Sequence, residues 1–391
     1  MKRIFIVLIL MFTQHVNADA VREIEERDVF SKVLNEQLSL FIQLPLYYHK
    51  NADYAYPVLY LLDAPVGITL NSGILDPLIG YNNAPQMIIV GVSTNDRDRD
   101  FTPTNDRKYA ENSGGAGAYL KFIEAEVIPY VDANFRTEDY RIFSGHSFGG
   151  LLVAHAFYSA PDLFDAYFAF SPSLFWDEKL VAKSLVSFTA KQQSNHSVLY
   201  LNIGNEGNAE VKSPEGKAML EGIKFIDSAL SQHTPKGLRY KSDYFSQEPH
   251  QVTQIIGTYH AFRHLYPSWD VPYEAYLSGY NAVAAHFASL SDMYGYHMEA
   301  KDWQLSDAAL YELHERNNPN EAIKYLHALL EQHPGDIEYM ATLALAYEKS
   351  GALPEALNTL NEINGLIGEE DEMYTDIAVR ISRISKLLSA S

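Results

Sequence analysis

The 391-residue chain contains no cysteine. That removes disulfides, thiolate metal sites, a cysteine nucleophile and a lipid-bearing cysteine on the mature chain. Basic residues are scarce as well. Thirty Lys and Arg face fifty Asp and Glu, a formal charge of −20. Nucleic-acid binding calls for the opposite balance, and an anionic ligand needs a local basic cluster set against this repulsive background. Long apolar runs are also missing. The stretch Ile4 to Phe12 is nine residues, whereas a membrane span takes about 20.

What is present fits a soluble, folded protein: 47% hydrophobic and 20% charged residues, over a length that points to two domains. Lys2 and Arg3 lead into the nine-residue apolar stretch, and small residues follow at Ala18-Asp19-Ala20. A basic start, a short apolar core and a small-residue end describe a cleavable export signal over residues 1–20. The expected location is therefore periplasmic or secreted.

From about residue 37 to 265 short apolar runs alternate with helical patterns. "LSLFIQL" alternates like a half-buried strand, and "PVLYLLD" and "MIIVGVS" read as strands buried on both faces. "YRIFS", "AYFAF", "SVLYLNI" and "LRYKSDYF" continue the series, with helical stretches between them. The spacing predicts an α/β domain over 21–268, a mostly parallel sheet with helices on both faces. The spans 65–86 and 95–117 read as loops. Ligands of such sheets bind beyond the carboxyl ends of the strands, so strand-ending residues carry the functional interest.

After a helical connector over 269–300, residues 301–391 read as helix throughout. Glu321-Ala322-Ile323 returns 34 positions later as Glu355-Ala356-Leu357, and Leu343, Ala344, Tyr347, Gly351 and Leu360 fall at tetratricopeptide-repeat positions. Alanines at the helix crossings allow close approach. Repeats of this kind bind peptides more often than they catalyse, so a protein partner or self-association is expected of this region.

Gly145-His146-Ser147-Phe148-Gly149 fits G-x-S-x-G between a predicted strand and a predicted helix, the context of a nucleophile elbow. Glycines two before and two after the serine are expected to avoid collisions with the neighbouring strand and helix. Ser147 then needs a base. His250, after the last predicted strand, is the candidate. His260 and His264 are its competitors, four apart on one helix, a metal-like spacing without a third ligand or an HExxH motif. No metal and no organic cofactor is expected. For the acid, Glu206 just past "SVLYLNIG" is favoured, with Glu210 and Asp177 as alternatives. The backbone N–H groups of Phe148 and Ala64 are the expected oxyanion donors.

In that order, "YPVLYLLDAP", "VGVSTNDRDRDFTP", "FIEAEVIPYVDANFRT", "GHSFGGLLVAHAF", "SPSLFWD" and "EPHQV" resemble the esterase-D-like esterases over about residues 35–265. These are α/β-hydrolases that include siderophore trilactone esterases. The resemblance implies Ser147 as nucleophile, His250 as general base and Glu206 as acid. The siderophore branch, some of whose members carry a helical-repeat tail, is the nearest likeness. One departure is Asp63-Ala64, where the family usually has Asp-Gly.

For substrate contacts two readings of "NDRDRDFTP" stand side by side. Arg97 and Arg99 meet a carboxylate or catecholate, or they pair with Asp96, Asp98 and Asp100 to fix a loop. Trp176 and Phe175 likewise form an aromatic wall or part of the core. The expected activity is hydrolysis of a carboxylic ester of a small molecule. An acyltransferase with the same triad, and a repeat scaffold bearing a silent hydrolase fold, are the alternatives.

Overall fold

The computed structural model describes residues 22–46, 48–49, 54–207 and 213–390. The expected export segment 1–20 and Glu210 lie outside them. The chain divides into two compact units, Met1–Trp269 and Asp270–Ser391.

The first unit is built on eight strands: β1 (Ile24–Ser31), β2 (Glu36–Gln43), β3 (Tyr56–Leu61), β4 (Ile88–Val92), β5 (Thr137–His146), β6 (Ala166–Phe170), β7 (Val198–Ile203) and β8 (Arg239–Tyr244). They form one sheet in the order β1-β2-β4-β3-β5-β6-β7-β8. The pairs β1–β2 and β2–β4 are antiparallel and all others parallel. This is the α/β-hydrolase architecture. Strands β3, β4, β6 and β7 are buried at every position, because helices cover both faces and each side chain meets apolar neighbours.

Strand order reverses next to β3: the chain moves outward to β4, then returns to place β5 on the other side of β3. Loops leaving β3 and β5 therefore part in opposite directions and leave a crevice at their carboxyl ends. Asp63 and Ala64 follow β3, and Ser147 follows β5.

Three local features differ from the sequence reading. Strand β1 was not expected, since most of IEERDVFS is exposed; the ladder to β2 holds it, in register from Ile24 opposite Gln43 to Ser31 opposite Glu36. The span 65–86 is not a loop but contains the helix Val66–Gly80, whose Gly73 and Pro77 obscure its pattern while Ile68, Leu75 and Leu78 bury one side. The helical stretch before β5 is not one regular helix: a wider π turn at Ile123–Val127 lies between Ala116–Phe122 and Ile128–Asn134.

The second unit is entirely helical among its described residues, with helices Tyr273–Ser278, Tyr280–Tyr294, Asp302–His314, Pro319–Gln332, Ile337–Ser350, Leu353–Leu366 and Tyr374–Ala390. Ala322, Ala344 and Ala356 are fully buried where helices cross. Asp336 caps its helix by accepting from the Tyr339 N–H, and Gly351 ends that helix in the left-handed region at φ 85°. Met340, Leu360, Ile363, Ile377 and Ile384 complete an apolar core of the unit's own.

Candidate active site

Ser147 stands between the end of β5 and the helix Phe148–Ser159, with φ 60° and ψ −116°. A non-glycine residue there is strained, and the strain persists only where the surroundings fix it. They do so from both sides. The Ser147 N–H donates to the Phe170 carbonyl at 2.9 Å, and the Ser147 carbonyl accepts from Leu151 and Ser173 at 2.9 and 3.2 Å. A β-carbon at Gly145 would lie 2.6 Å from the Gly149 carbonyl, so glycine at 145 is required as expected. On the helical side the tight position is Gly150, where a β-carbon would meet the Phe170 carbonyl oxygen at 2.8 Å; Gly149 has more room, 3.3 Å to Asp63 Oδ2.

Glu206 lies in a single 3-10 turn, Asn205–Gly207, directly after β7. His250 follows β8. Their loops are joined by the Asn205 N–H donating to the Glu248 carbonyl at 2.8 Å and by Phe245 N–H donating to Ile203 at 2.8 Å. Glu206 Oε1 and His250 Nδ1 are 2.6 Å apart. Burial, the largest single influence, pushes the Glu206 carboxyl up, but the hydrogen bond from His250 together with Ser171, the local main chain and the His250 charge leaves the group below the ordinary glutamate range. The Ser171 hydroxyl bonds Thr253 Oγ1 at 2.9 Å, and Glu206 Oε2 has no hydrogen-bond partner among the described residues. Thr253 donates in turn to the His250 carbonyl at 2.7 Å.

His146 completes the connection. Its Nε2 is 2.9 Å from the His250 carbonyl oxygen, and the two rings are 4.5 Å apart. The carbonyl only accepts, so Nε2 carries the proton. Burial, with the neighbouring His250 ring, lowers the His146 pKa to about 4, so the ring is neutral near pH 7. The Ser147 hydroxyl bonds Ser173 Oγ at 3.4 Å and makes no bond to His250 among the described residues. Catalytic hydrogen bonds in unliganded sites are often long and tighten only with substrate.

One of the two expected oxyanion donors directly follows this serine. The Phe148 N–H belongs to the first residue of its helix, so it has no intrahelical acceptor. Ala64 sits in the turn after β3, half-buried. Its methyl packs over β4: a β-carbon at Gly91 would come within 2.4 Å of it. Alanine in place of the family's glycine is thus accommodated by a glycine on the neighbouring strand.

The substrate-binding expectations need correction. Arg99 directs four of its five N–H groups to the protein's own carboxylates, Nη1 and Nη2 to Glu36 and Nε and Nη2 to Asp100. It therefore holds a loop, and the carboxylates involved are Glu36 and Asp100. Arg97 pairs with Asp63, at 2.6 and 3.0 Å. Asp96 instead caps the turn by accepting from the Arg99 N–H. Trp176 is not a wall of the site. It is fully buried, because its indole N–H finds an acceptor in Thr104 Oγ1 at 3.1 Å. The half-buried aromatic surface beside the elbow comes from Phe148, Phe175 and Tyr109, with Tyr109 and Phe175 rings 5.0 Å apart and Phe148 edge-on to Trp176. Tyr109 and His146 were missed by sequence reasoning; no local pattern marks either.

Asp177 accepts from Thr104 Oγ1 at 2.8 Å, away from His250's partner Glu206. His260 Nδ1 is 3.0 Å from Asp243 Oδ2, and His264 Nε2 is 3.3 Å from the Arg239 carbonyl. No group of three or more metal-ligating side chains is assembled among the described residues. No described helix is long and apolar enough to cross a membrane.

The hydrolase fold thus carries a strained serine at its switch point and a histidine held by a carboxylate. The comparisons with known proteins give the class, a carboxylic ester hydrolase. The family described as "Putative esterase" matches residues 31–231, just over half of the chain, and the chain belongs to that family. A tetratricopeptide repeat matches residues 313–373. The ferri-bacillibactin esterase BesA of Bacillus subtilis is 28% identical over 261 residues, 60% of this chain and 86% of that protein. A siderophore enterobactin esterase of Emericella nidulans is 36% identical over 108 residues, 26% of this chain and 36% of that one. Among solved structures, an IroE-like serine hydrolase from Shewanella oneidensis superposes with a TM-score of 0.66 at 27% identity, over 79% of this chain and 99% of that one.

Proposed function

We propose that the protein is an exported siderophore esterase that opens ester bonds of a trilactone through a Ser147–His250–Glu206 triad. The observation that carries the mechanism is the 2.6 Å pair of His250 and Glu206, tied by a hydrogen bond to His146, the residue preceding Ser147. In this reading the Ser147 hydroxyl attacks an ester carbonyl while His250 Nε2 takes its proton. Glu206 fixes the tautomer through Nδ1 and stabilises the imidazolium. The N–H groups of Phe148 and Ala64 receive the oxyanion. His250 then returns the proton to the departing alcohol oxygen, which leaves a serine ester of the acyl group. Water, deprotonated by His250, then adds to the serine ester, and the acyl–Oγ bond breaks as His250 returns the proton to Ser147, releasing the carboxylic acid. Phe148, Phe175 and Tyr109 offer a surface for the aromatic rings of such a substrate.

The substrate class rests on the relatives, whose names specify ferri-bacillibactin and enterobactin. Export rests on the pattern of Lys2, Arg3, Ile4 to Phe12 and Ala18-Asp19-Ala20. The tetratricopeptide region is read as the surface for a protein partner.

The test compares an enterobactin-type trilactone with p-nitrophenyl butyrate, for wild type and Ser147→Ala, alongside labelling by a fluorophosphonate. The expected result is preferred cleavage of the trilactone, labelling at Ser147, and a variant whose kcat is lower by on the order of 10⁴ to 10⁶. Turnover of the simple ester alone removes the trilactone assignment and keeps the triad. Unchanged turnover by Ser147→Ala removes the triad.

A further inference from the structure

We infer that the face formed by β8 and the helix Thr253–Leu265 carries a second binding site, for a small multivalent anion such as a phosphate ester or a polycarboxylate. A cavity of about 390 Å³ opens there, lined by Arg239, Lys241, Tyr259, His260, Arg263 and His264. Three of these are permanent cations, and no acid lines the cavity. In a chain of thirty bases against fifty acids, such a concentration runs against the general charge. Pockets that hold small molecules start at about 300 Å³, so the volume suits an organic anion rather than a single halide.

The cations are only partly neutralised within the protein. Asp243 is the carboxylate that meets the cluster, and its Oδ2 already serves three groups: the Tyr200 hydroxyl at 2.7 Å, His260 Nδ1 at 3.0 Å and Lys241 Nζ at 3.3 Å. Arg263 turns to a neutral partner. Its Nη1 donates to Asn83 Oδ1, and it makes no ion pair among the described residues. Arg239 Nη2 donates to the main-chain oxygens of His264 and of Leu265, the second at 2.7 Å. His264 Nε2 returns a bond of 3.3 Å to the Arg239 carbonyl. These contacts fasten the end of the helix to β8 and fix the cavity wall. Burial lowers the His264 pKa, so that ring is a neutral part of the wall.

Two structural duties account for part of the cluster. A lysine on an edge strand discourages pairing with another sheet, and β8 is an edge of this one. Cations near a helix end satisfy its last carbonyls, which Arg239 does. Neither duty explains Arg263, which lies in the last turn of the helix yet bonds a side chain of another segment. Neither explains the exposed Tyr259 ring along a concave surface. Arg239, Lys241 and Arg263 around one cavity repel one another, and an anion held between them reverses that repulsion.

The place is separate from the serine. Thr253, at the start of the same helix, donates to the His250 carbonyl. Arg263 lies ten positions further on, about 15 Å along the axis. An occupant braces β8 against the helix without entering the crevice at Ser147.

Two probes distinguish the sources of such an anion: pyrophosphate stands for phosphate esters and citrate for polycarboxylates. Calorimetric titration at low ionic strength is run on the full chain as wild type, Arg263→Gln, Lys241→Gln and Arg27→Gln. Arg27 is the control, a cation on β1 at the opposite edge of the sheet that pairs with Glu25. Expected is one saturable site for at least one probe, with Kd below about 1 mM. Arg263→Gln and Lys241→Gln should each weaken it by about tenfold or more, and Arg27→Gln should not. The tighter probe names the source. Saturating probe should raise the Tm of wild type but not of Arg263→Gln, and it should leave hydrolysis of p-nitrophenyl butyrate unchanged.

Three outcomes overturn the proposal. One is the absence of saturable binding by either probe. Another is equal weakening by all three variants, which marks diffuse attraction to any surface cation. The last is binding that survives both cavity variants and competes with the ester, which puts the anion at Ser147. Loss of the triad by Ser147→Ala leaves the titration untouched, so the two readings fail independently.

Discussion

His146 Nε2 donates to the main-chain oxygen of His250 across 2.9 Å, so the residue before the nucleophile holds the loop that carries the base. The bond runs to backbone, and it fixes where the His250 ring begins rather than its protonation. Replacing His146 by alanine should lower kcat about tenfold, the equivalent of one hydrogen bond of roughly 1.4 kcal/mol, with little change in KM. His146→Gln, whose amide donates from a similar position, should recover most of the rate. Steady-state kinetics on a p-nitrophenyl ester decide it: equal kcat for His146→Ala and wild type would show that the loop is held without this bond.

How much of this was readable in the sequence follows from where the determining contacts lie. Strands β3, β4, β6 and β7 were legible because burial on both faces leaves an unbroken apolar run. Ser147 was legible because strand, glycine-flanked serine and helix are contiguous. Glu206 and His250 were named from chain order and strand ends, and the structure brings them to 2.6 Å. What escaped depended on distant partners. Strand β1 is polar and held by its ladder to β2. Arg99 finds Glu36, 63 positions away. Trp176 turns inward because Thr104, on another loop, accepts its indole N–H. An aromatic residue after a strand reads the same whether it faces core or solvent.

Glu206→Gln isolates what the carboxylate does for His250. The amide fits the same space beside a partner 2.6 Å away, but it is neutral and can present its NH₂ to a ring nitrogen that must donate. Loss of the imidazolium's counter-charge should reduce kcat by on the order of 10⁴ while substrate binding is retained. The ratio of kcat between variant and wild type is the measurement, with KM as its companion. A loss of less than about tenfold would assign the acid elsewhere.

Two half-buried imidazoles make stability depend on pH. His146 and His155 are both lowered to about 4 by burial, against roughly 6.5 in an unfolded chain. Between those values the unfolded state binds protons that the folded state refuses, so stability falls as the pH drops. Their contribution is complete above pH 6.5 and lost progressively toward pH 4. Glu206, held below its ordinary value, extends the decline on the acid side. Tm should therefore hold nearly level from pH 8 to 7 and fall steeply from 6.5 to 4.5. His155→Leu removes one of the two titrating rings and should make that fall shallower. A Tm that is flat down to pH 4.5 would show that both rings titrate normally in the folded protein.

Glycine substitutions test the elbow's packing by contrast between sites. At Gly145 a β-carbon would be 2.6 Å from the Gly149 carbonyl carbon and oxygen, and at Gly150 2.8 Å from the Phe170 carbonyl oxygen. All of these are backbone atoms, which cannot swing aside as a side chain would. Gly145→Ala should thus cost about 1–3 kcal/mol from overpacking, a Tm drop on the order of 5 °C in a domain of this size. It should also lose activity, because β5 and the elbow helix can separate only by moving Ser147. Gly117 is the opposite case: helical, exposed and with nothing within 4 Å of an added β-carbon. Gly117→Ala should leave activity alone and raise stability by up to about 1 kcal/mol, since alanine loses less backbone freedom on entering a helix. Thermal melts and ester hydrolysis on the two variants are sufficient. A Gly145→Ala protein that melts and turns over like wild type would mean that strand and helix at the elbow are not in the contact that fixes the serine.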